Sequence, residues 1–209
     1  MKLTEELCEV IGAYMGDGCT YNSKNCHYLV QYSGDSRLDR EYYNSVIGPY
    51  INNLFGSKAC FKKVKGKNAI RINFYSKKFY YFLKKFFNLK SNKKADIIFI
   101  PKIIFDNEKN LHALIRGLFD TDGGIYLDKR HIYKKPYPRI IFCTVSKKLH
   151  NQLIEYLSKH FKIYSHQRKY KNSNHKDSYS IEIYGQKQLN KWINLIGFSN
   201  PRHLSKVPM

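Results

Sequence analysis

An α+β fold built twice, each half running αββαββα, is what this sequence predicts, on three observations. Ile115 to Gly123 (Ile-Arg-Gly-Leu-Phe-Asp-Thr-Asp-Gly) has a weaker copy at Val10 to Gly18 (Val-Ile-Gly-Ala-Tyr-Met-Gly-Asp-Gly), every residue 105 positions from its equivalent. The order of helical and strand periodicities that follows each copy is the same. Ser36 and Ser146, each placed to cap the next helix, are 110 apart, so the second half carries five extra residues, assigned to the loop around Lys129 to Pro138. The halves are expected at residues 1–106 and 107–209.

Within each copy small residues sit four apart, at Gly12/Gly16 and Gly117/Thr121, a spacing that lets two helices pack with their backbones nearly touching. Both helices end in Asp-Gly, where glycine is expected as a left-handed stop. Packed side by side, they bring Asp17 and Asp122 together. A helix C-terminus already carries partial negative charge, so two carboxylates there call for a cation between them. Hard divalent ions take carboxylate and carbonyl oxygens, which makes Mg²⁺ the expected partner.

In chain order, Thr4 is expected to cap the first helix, with Leu7, Val10, Ile11 and Tyr14 at helical spacing. A polar turn at Asn22 to Asn25 leads into a strand in which Tyr28, Val30 and Tyr32 alternate with Leu29, Gln31 and Ser33. Ser36 should start a helix to about Phe55, kinked at Gly48-Pro49. A hairpin follows, Lys58 to Lys65 and Asn68 to Tyr75, and then a helix from Ser76 to Phe87. Lys90 to Asp106 connects the halves. The second half repeats the order: helix Leu111 to Thr121, strands Gly123 to Leu127 and Arg139 to Val145, helix Ser146 to Phe161, strands Lys162 to Lys171 and Ser178 to Tyr184, helix Gln186 to Leu195.

The two motif segments resemble those of the LAGLIDADG homing endonucleases, in the single-chain form with two motifs. The second copy is close; the first has Met15 where the family usually has an acid. The resemblance puts the family's metal-binding acids at Asp17 and Asp122, and the peptide carbonyls that also contact metal at Gly16 and Thr121. It implies two four-stranded antiparallel sheets forming a DNA-binding saddle, packed through the motif helices, and phosphodiester hydrolysis with Mg²⁺, or Mn²⁺ as a substitute. A lysine near the end of each half assists in the family; by position these are Lys93 or Lys94, with Lys94 preferred, and Lys206, with Arg202 and His203 nearby.

Composition agrees with a polyanionic partner. Lys plus Arg number 37 against 16 Asp plus Glu, a net charge of +21. No stretch approaches a membrane span and the N-terminus lacks a signal-peptide pattern, so a soluble intracellular protein is expected, with no membrane partner. Five cysteines without a CxxC pair suggest reduced thiols. A strand of about ten residues is roughly 33 Å long, close to one turn of B-DNA, so each sheet can follow one major groove. Gln31, Arg71, Asn73, Arg139, Gln167 and Lys169 have the chemistry for the groove-facing side. The expected protein is a monomer with internal pseudo-twofold symmetry, acting on double-stranded DNA. The alternative is a non-cleaving member, an RNA-splicing maturase with intron RNA as partner or a DNA-binding regulator. The start at Met1 and the end at Val-Pro-Met without His-Asn lead us to expect an intron-encoded or free-standing product rather than an intein.

Overall fold

The computed structural model describes residues 2–24, 26–88, 95–170 and 176–207. The first helix, α1 (Glu5–Asp17), starts where Thr4 Oγ accepts from the Leu7 amide at 3.2 Å, with Glu5 and Glu6 complementing the helix dipole. Strands β1 (Gly18–Ser23) and β2 (Cys26–Asp35) follow as an antiparallel hairpin. The next helix does not start at Ser36. The Asp35 carboxylate accepts from the Arg37 and Leu38 amides at 2.8 and 3.1 Å, which holds residues 36–39 as a turn. Helix then runs as α2 (Arg40–Tyr42), a π-helical stretch (Tyr43–Ile47) and α3 (Gly48–Phe55). The Gly48 amide reaches back to the Tyr43 carbonyl, and this wider turn absorbs Pro49, which has no N–H to give.

Strands β3 (Cys60–Lys63) and β4 (Ala69–Tyr75) turn at Gly66, whose φ of 72° is left-handed. Ser76 caps α4 (Lys77–Phe86), its Oγ accepting from Phe79 at 3.2 Å. After a short α5 (Lys102–Phe105), α6 (Glu108–Thr121) begins at Asn107, which caps the Asn110 amide at 3.1 Å. The second half continues with β5 (Gly123–Asp128), β6 (Tyr137–Thr144), α7 (Lys147–Leu157) capped by Ser146, β7 (Ile163–Arg168), β8 (Ser178–Tyr184), α8 (Gln186–Leu195) and α9 (Pro201–Leu204). Each half carries one antiparallel sheet, in the orders β1-β2-β4-β3 and β5-β6-β8-β7. Two of the helices, α5 and α9, are additions to the expected plan.

One face of each sheet is covered by helices. Val30, Tyr32, Ile70, Ile72 and Phe74 are buried under Phe79 and Leu83 in the first half. In the second, Ile125, Ile140, Phe142, Ile181 and Ile183 lie under Phe119 and Trp192, with Phe119 stacked on Phe142 at 4.9 Å and tilted against Trp192 at 4.6 Å. Each such side chain contributes about 2 kcal/mol on burial. The halves join through α1 and α6. A Cβ at Gly12 would lie 2.0 Å from the Leu114 carbonyl oxygen, and one at Gly117 would lie 2.2 Å from that of Glu9. Glu9 and Leu114 are themselves 105 apart, so these are one contact repeated by the pseudo-twofold. A Cβ at Gly16 would meet Thr121 Oγ1, its own equivalent, at 2.2 Å.

Candidate paired-acid centre and nucleic-acid face

The acids follow from this packing. Asp17 is the last residue of α1 and Asp122 is the C-cap of α6, with φ −89° and ψ −3°. The glycines after them are not left-handed stops. Gly18 is extended (φ −83°, ψ 150°), and a Cβ there would come 2.3 Å from the Tyr14 ring, so the position needs space rather than an unusual backbone. A Cβ on Gly16 would be 3.2 Å from the Asp122 carboxyl carbon, which places that carboxylate against the end of α1. Asp17 is half-buried and accepts from the Tyr43 hydroxyl at 3.3 Å. Burial first, then the charges of Asp122 and Asp39, push its carboxyl up to about 7, against the pull of Arg202 and Tyr43. Asp122 is exposed and lines two open cavities, one of ≈ 310 Å³ shared with Tyr126, Arg202 and Lys206, the other of ≈ 370 Å³ shared with Gly16 and Cys143.

Residues after α8 return to this centre and tie the halves together. Buried Asn200 donates to Asp39 Oδ1 at 3.0 Å and to the Asp120 carbonyl at 3.1 Å. The Ser199 amide donates to Asp120 Oδ2 at 2.8 Å. Arg202 spends its whole guanidinium here: Nε donates to His203 Nε2 at 3.1 Å, Nη1 pairs with Asp39 at 2.9 Å, and Nη2 donates to the Thr121 carbonyl at 3.2 Å. Lys206 Nζ donates to the Ile125 carbonyl at 3.0 Å, and partial burial with Arg202 nearby lowers its pKa. Beneath, Glu9 and Arg116 pair across the helix interface at 2.9 Å.

The sheet faces turned away from the helices are fixed by strand register. In the first sheet Gln31 opposes Asn73 and Ser33 opposes Arg71, all out of phase with the buried pairs Val30–Phe74 and Tyr32–Ile72. Arg71 is exposed, whereas Asn73 is buried on that face, with Gln31 Nε2 donating to its Oδ1 at 2.7 Å. In the second sheet Arg139 lies between Tyr126 and Tyr184 on the outer face, its guanidinium paired with Asp128 and 5.0 Å from the Tyr184 ring centre. Gln167 belongs to the other face: it opposes Tyr179, whose ring packs on His150 of α7, and it donates to Asp177 at 3.1 Å. Outward on β7 are Tyr164, His166 and Arg168. Lys169 lies beyond β7, which ends at Arg168, so it belongs to no strand. Only Ile163 of β7 is partly buried, so no apolar alternation in the sequence fixes its phase.

Comparison with known proteins fits this geometry. Residues 109–197, which contain the α6 motif and the second sheet, match the LAGLIDADG-like domain family. This second half is a LAGLIDADG-like domain. Over 97% of its length the chain is 29% identical to part of a replication factor C small subunit, and over 90% it is 30% identical to part of a probable translation initiation factor IF-2, both of Methanocaldococcus jannaschii (strain ATCC 43067 / DSM 2661 / JAL-1 / JCM 10045 / NBRC 100440). It spans only 10% and 14% of those two proteins. Among solved structures, I-DmoI in complex with DNA and Mn shares the fold at TM-score 0.61, 18% identity, 94% of this chain and 98% of that one. The homing endonuclease I-WcaI bound to its DNA recognition sequence gives TM-score 0.61, 20% identity, and 100% and 88% coverage. Full-length DUF199/WhiA from Thermatoga maritima gives 0.59, 15%, and 97% and 58%.

The donors at the paired acids suit a hard divalent cation. Burial and the neighbouring carboxylates disfavour the Asp17 anion despite Arg202, and Asp122 is open to solvent on the same end of the helix pair. Among the described residues no group of three or more His, Cys, Asp or Glu side chains is placed to hold a metal ion. The Thr121 carbonyl, expected as a metal contact, already accepts from Arg202. Lys93 and Lys94 lie outside the described residues. Asp39, Asn200, Asp120 and Tyr43 were not singled out from the sequence; the only local signal among them is Asn200 before Pro201, a helix-start pair.

Proposed function

We propose that this LAGLIDADG chain is a site-specific double-strand DNA endonuclease that reads a long asymmetric target across two turns of DNA, with a division of labour between halves 1–106 and 107–209. The observation that carries the reading is the meeting of Asp17 and Asp122 at one end of the packed motif helices, between two sheets of a chain of net charge +21. Asp17, Asp122 and the Gly16 carbonyl would hold Mg²⁺ or Mn²⁺. When bound, such an ion lowers the pKa of water and stabilises the leaving oxygen. The chain's own residues supply the setting: Tyr43 orients the Asp17 carboxylate, and Lys206, anchored on the Ile125 carbonyl, brings a cation to the cavity of Asp122. Its proposed setting is intracellular, as a monomer.

The decisive experiment is cleavage of a fragment library of the source genome, with intervening sequences removed, by wild type, Asp17→Asn and Asp122→Asn, with Mg²⁺ or chelator. Discrete Mg²⁺-dependent double-strand cuts that fall about 10³-fold or more in both variants, an energy of about 4 kcal/mol, are expected. Tight site-selective binding without any cutting would favour the second reading, a non-cleaving regulator or maturase. The observation on that side is the Thr121 carbonyl held by Arg202.

A further inference from the structure

Arg202 has a position that the paired-acid reading leaves unexplained. A carbonyl expected to face the metal is capped by a guanidinium whose other arm grips Asp39 at 2.9 Å. The arrangement is built rather than incidental. Asp39 is 4% exposed and is held from the far side by its own turn, the Asp35 amide donating to Oδ2 at 2.8 Å. Asn200, fully buried two residues before Arg202, fixes the approach of the segment, and His203 fixes Nε. Asp17 thus feels the charges of both Asp39 and Asp122, and Arg202, paired with Asp39, offsets them.

We infer that Arg202 is a resident counter-cation that competes with the divalent ion, holding the Thr121 carbonyl and neutralising the carboxylates, so that full metal uptake requires its release. The inference rests on the paired-acid reading and adds a regulatory element to it. Two consequences separate it from a purely structural tie. Removing the guanidinium raises the affinity of the DNA-free protein for a divalent cation, whereas damage to the fold lowers it. Loading the cation moves the Arg202 Nε–H out of its present hydrogen bond.

The test is Ca²⁺ titration calorimetry on the DNA-free full chain, with wild type, Arg202→Met and Arg202→Lys. Arg202→Met, which keeps the stem and loses the charge, is expected to bind Ca²⁺ at least about tenfold more tightly, a change of about 1.4 kcal/mol. Arg202→Lys, which keeps the charge but cannot span Asp39 and the carbonyl together, should fall between. Should Arg202→Met not fold, the Arg202 Nε–H resonance of wild type, assigned by its loss in Arg202→Lys, is followed by ¹⁵N spectroscopy. Its displacement on Ca²⁺ addition supports the inference. Unchanged or weaker Ca²⁺ affinity in a folded Arg202→Met, or an unmoved resonance in Ca²⁺-loaded wild type, overturns it while leaving the paired-acid reading intact. Absence of Ca²⁺ binding in every chain overturns both.

Discussion

At the scale of single residues, the motif's two acids have opposite environments. Asp122 is exposed to solvent, while Asp120, two residues earlier, is fully buried, with one oxygen accepting from Ser199. Burial, only partly offset by the Ser199 amide and added to by Glu9, pushes the Asp120 carboxyl up to about 8 from the ordinary 3.8. The folded chain therefore keeps a proton that the unfolded chain releases, so stability is full below about pH 4 and is lost as pH rises toward 8, by up to ~1.4 kcal/mol per unit. Asp120→Asn keeps an acceptor for Ser199 and has no proton to lose. Urea midpoints should match wild type at pH 4 and exceed it at pH 7.5; parallel curves over that window would refute the assignment. None of this was readable from the sequence, where Asp120 and Asp122 differ only by phase, and where Asp39 and Asn200 stand 161 residues apart with no pattern linking them.

At the scale of elements, the glycine contacts decide the helix pair. Gly117→Val would drive a side chain into the Glu9 carbonyl and is expected to cost about 3 kcal/mol or more, read as a fall in Tm. Gly66→Ala, in an exposed turn with nothing near its Cβ, is a control for local backbone strain alone. The strands give a second pair of predictions. Arg71→Ala, on the outer face of β4, should weaken binding to the cognate duplex by about 1–3 kcal/mol, and Gln167→Ala, on the helix side of β7, should leave it unchanged. Equal losses would mean that the binding face is not the one turned away from the helices. Phase was legible where burial enforces it: Val30 and Tyr32, or Ile70, Ile72 and Phe74, alternate in the sequence as they do in the sheet. It failed on β7, where apolar residues stop after Ile163, and at Ser36, because Asp35 competes for the same amides.

At the scale of the molecule, the 105-residue repeat was enough to give the two-half architecture, since small residues at fixed spacing admit one close packing. A net charge of +21 spread over both halves predicts steep salt dependence: duplex affinity should drop by about 10³-fold or more between 50 and 200 mM salt if six or more phosphates are neutralised. A flat titration would exclude a nucleic-acid role for the charge. No helix among the described residues is long and apolar enough to cross a membrane. The strap formed by Ser199 to Lys206 also sets an order of events during synthesis. Asp39 leaves the ribosome early, but the amide and guanidinium that satisfy it are made 161 and 163 residues later. Until then the Asp39 carboxylate has only its local partner, the Asp35 amide, and the first half lacks the contacts that complete it. A ribosome that stalls before residue 199 therefore releases a chain whose centre never closes.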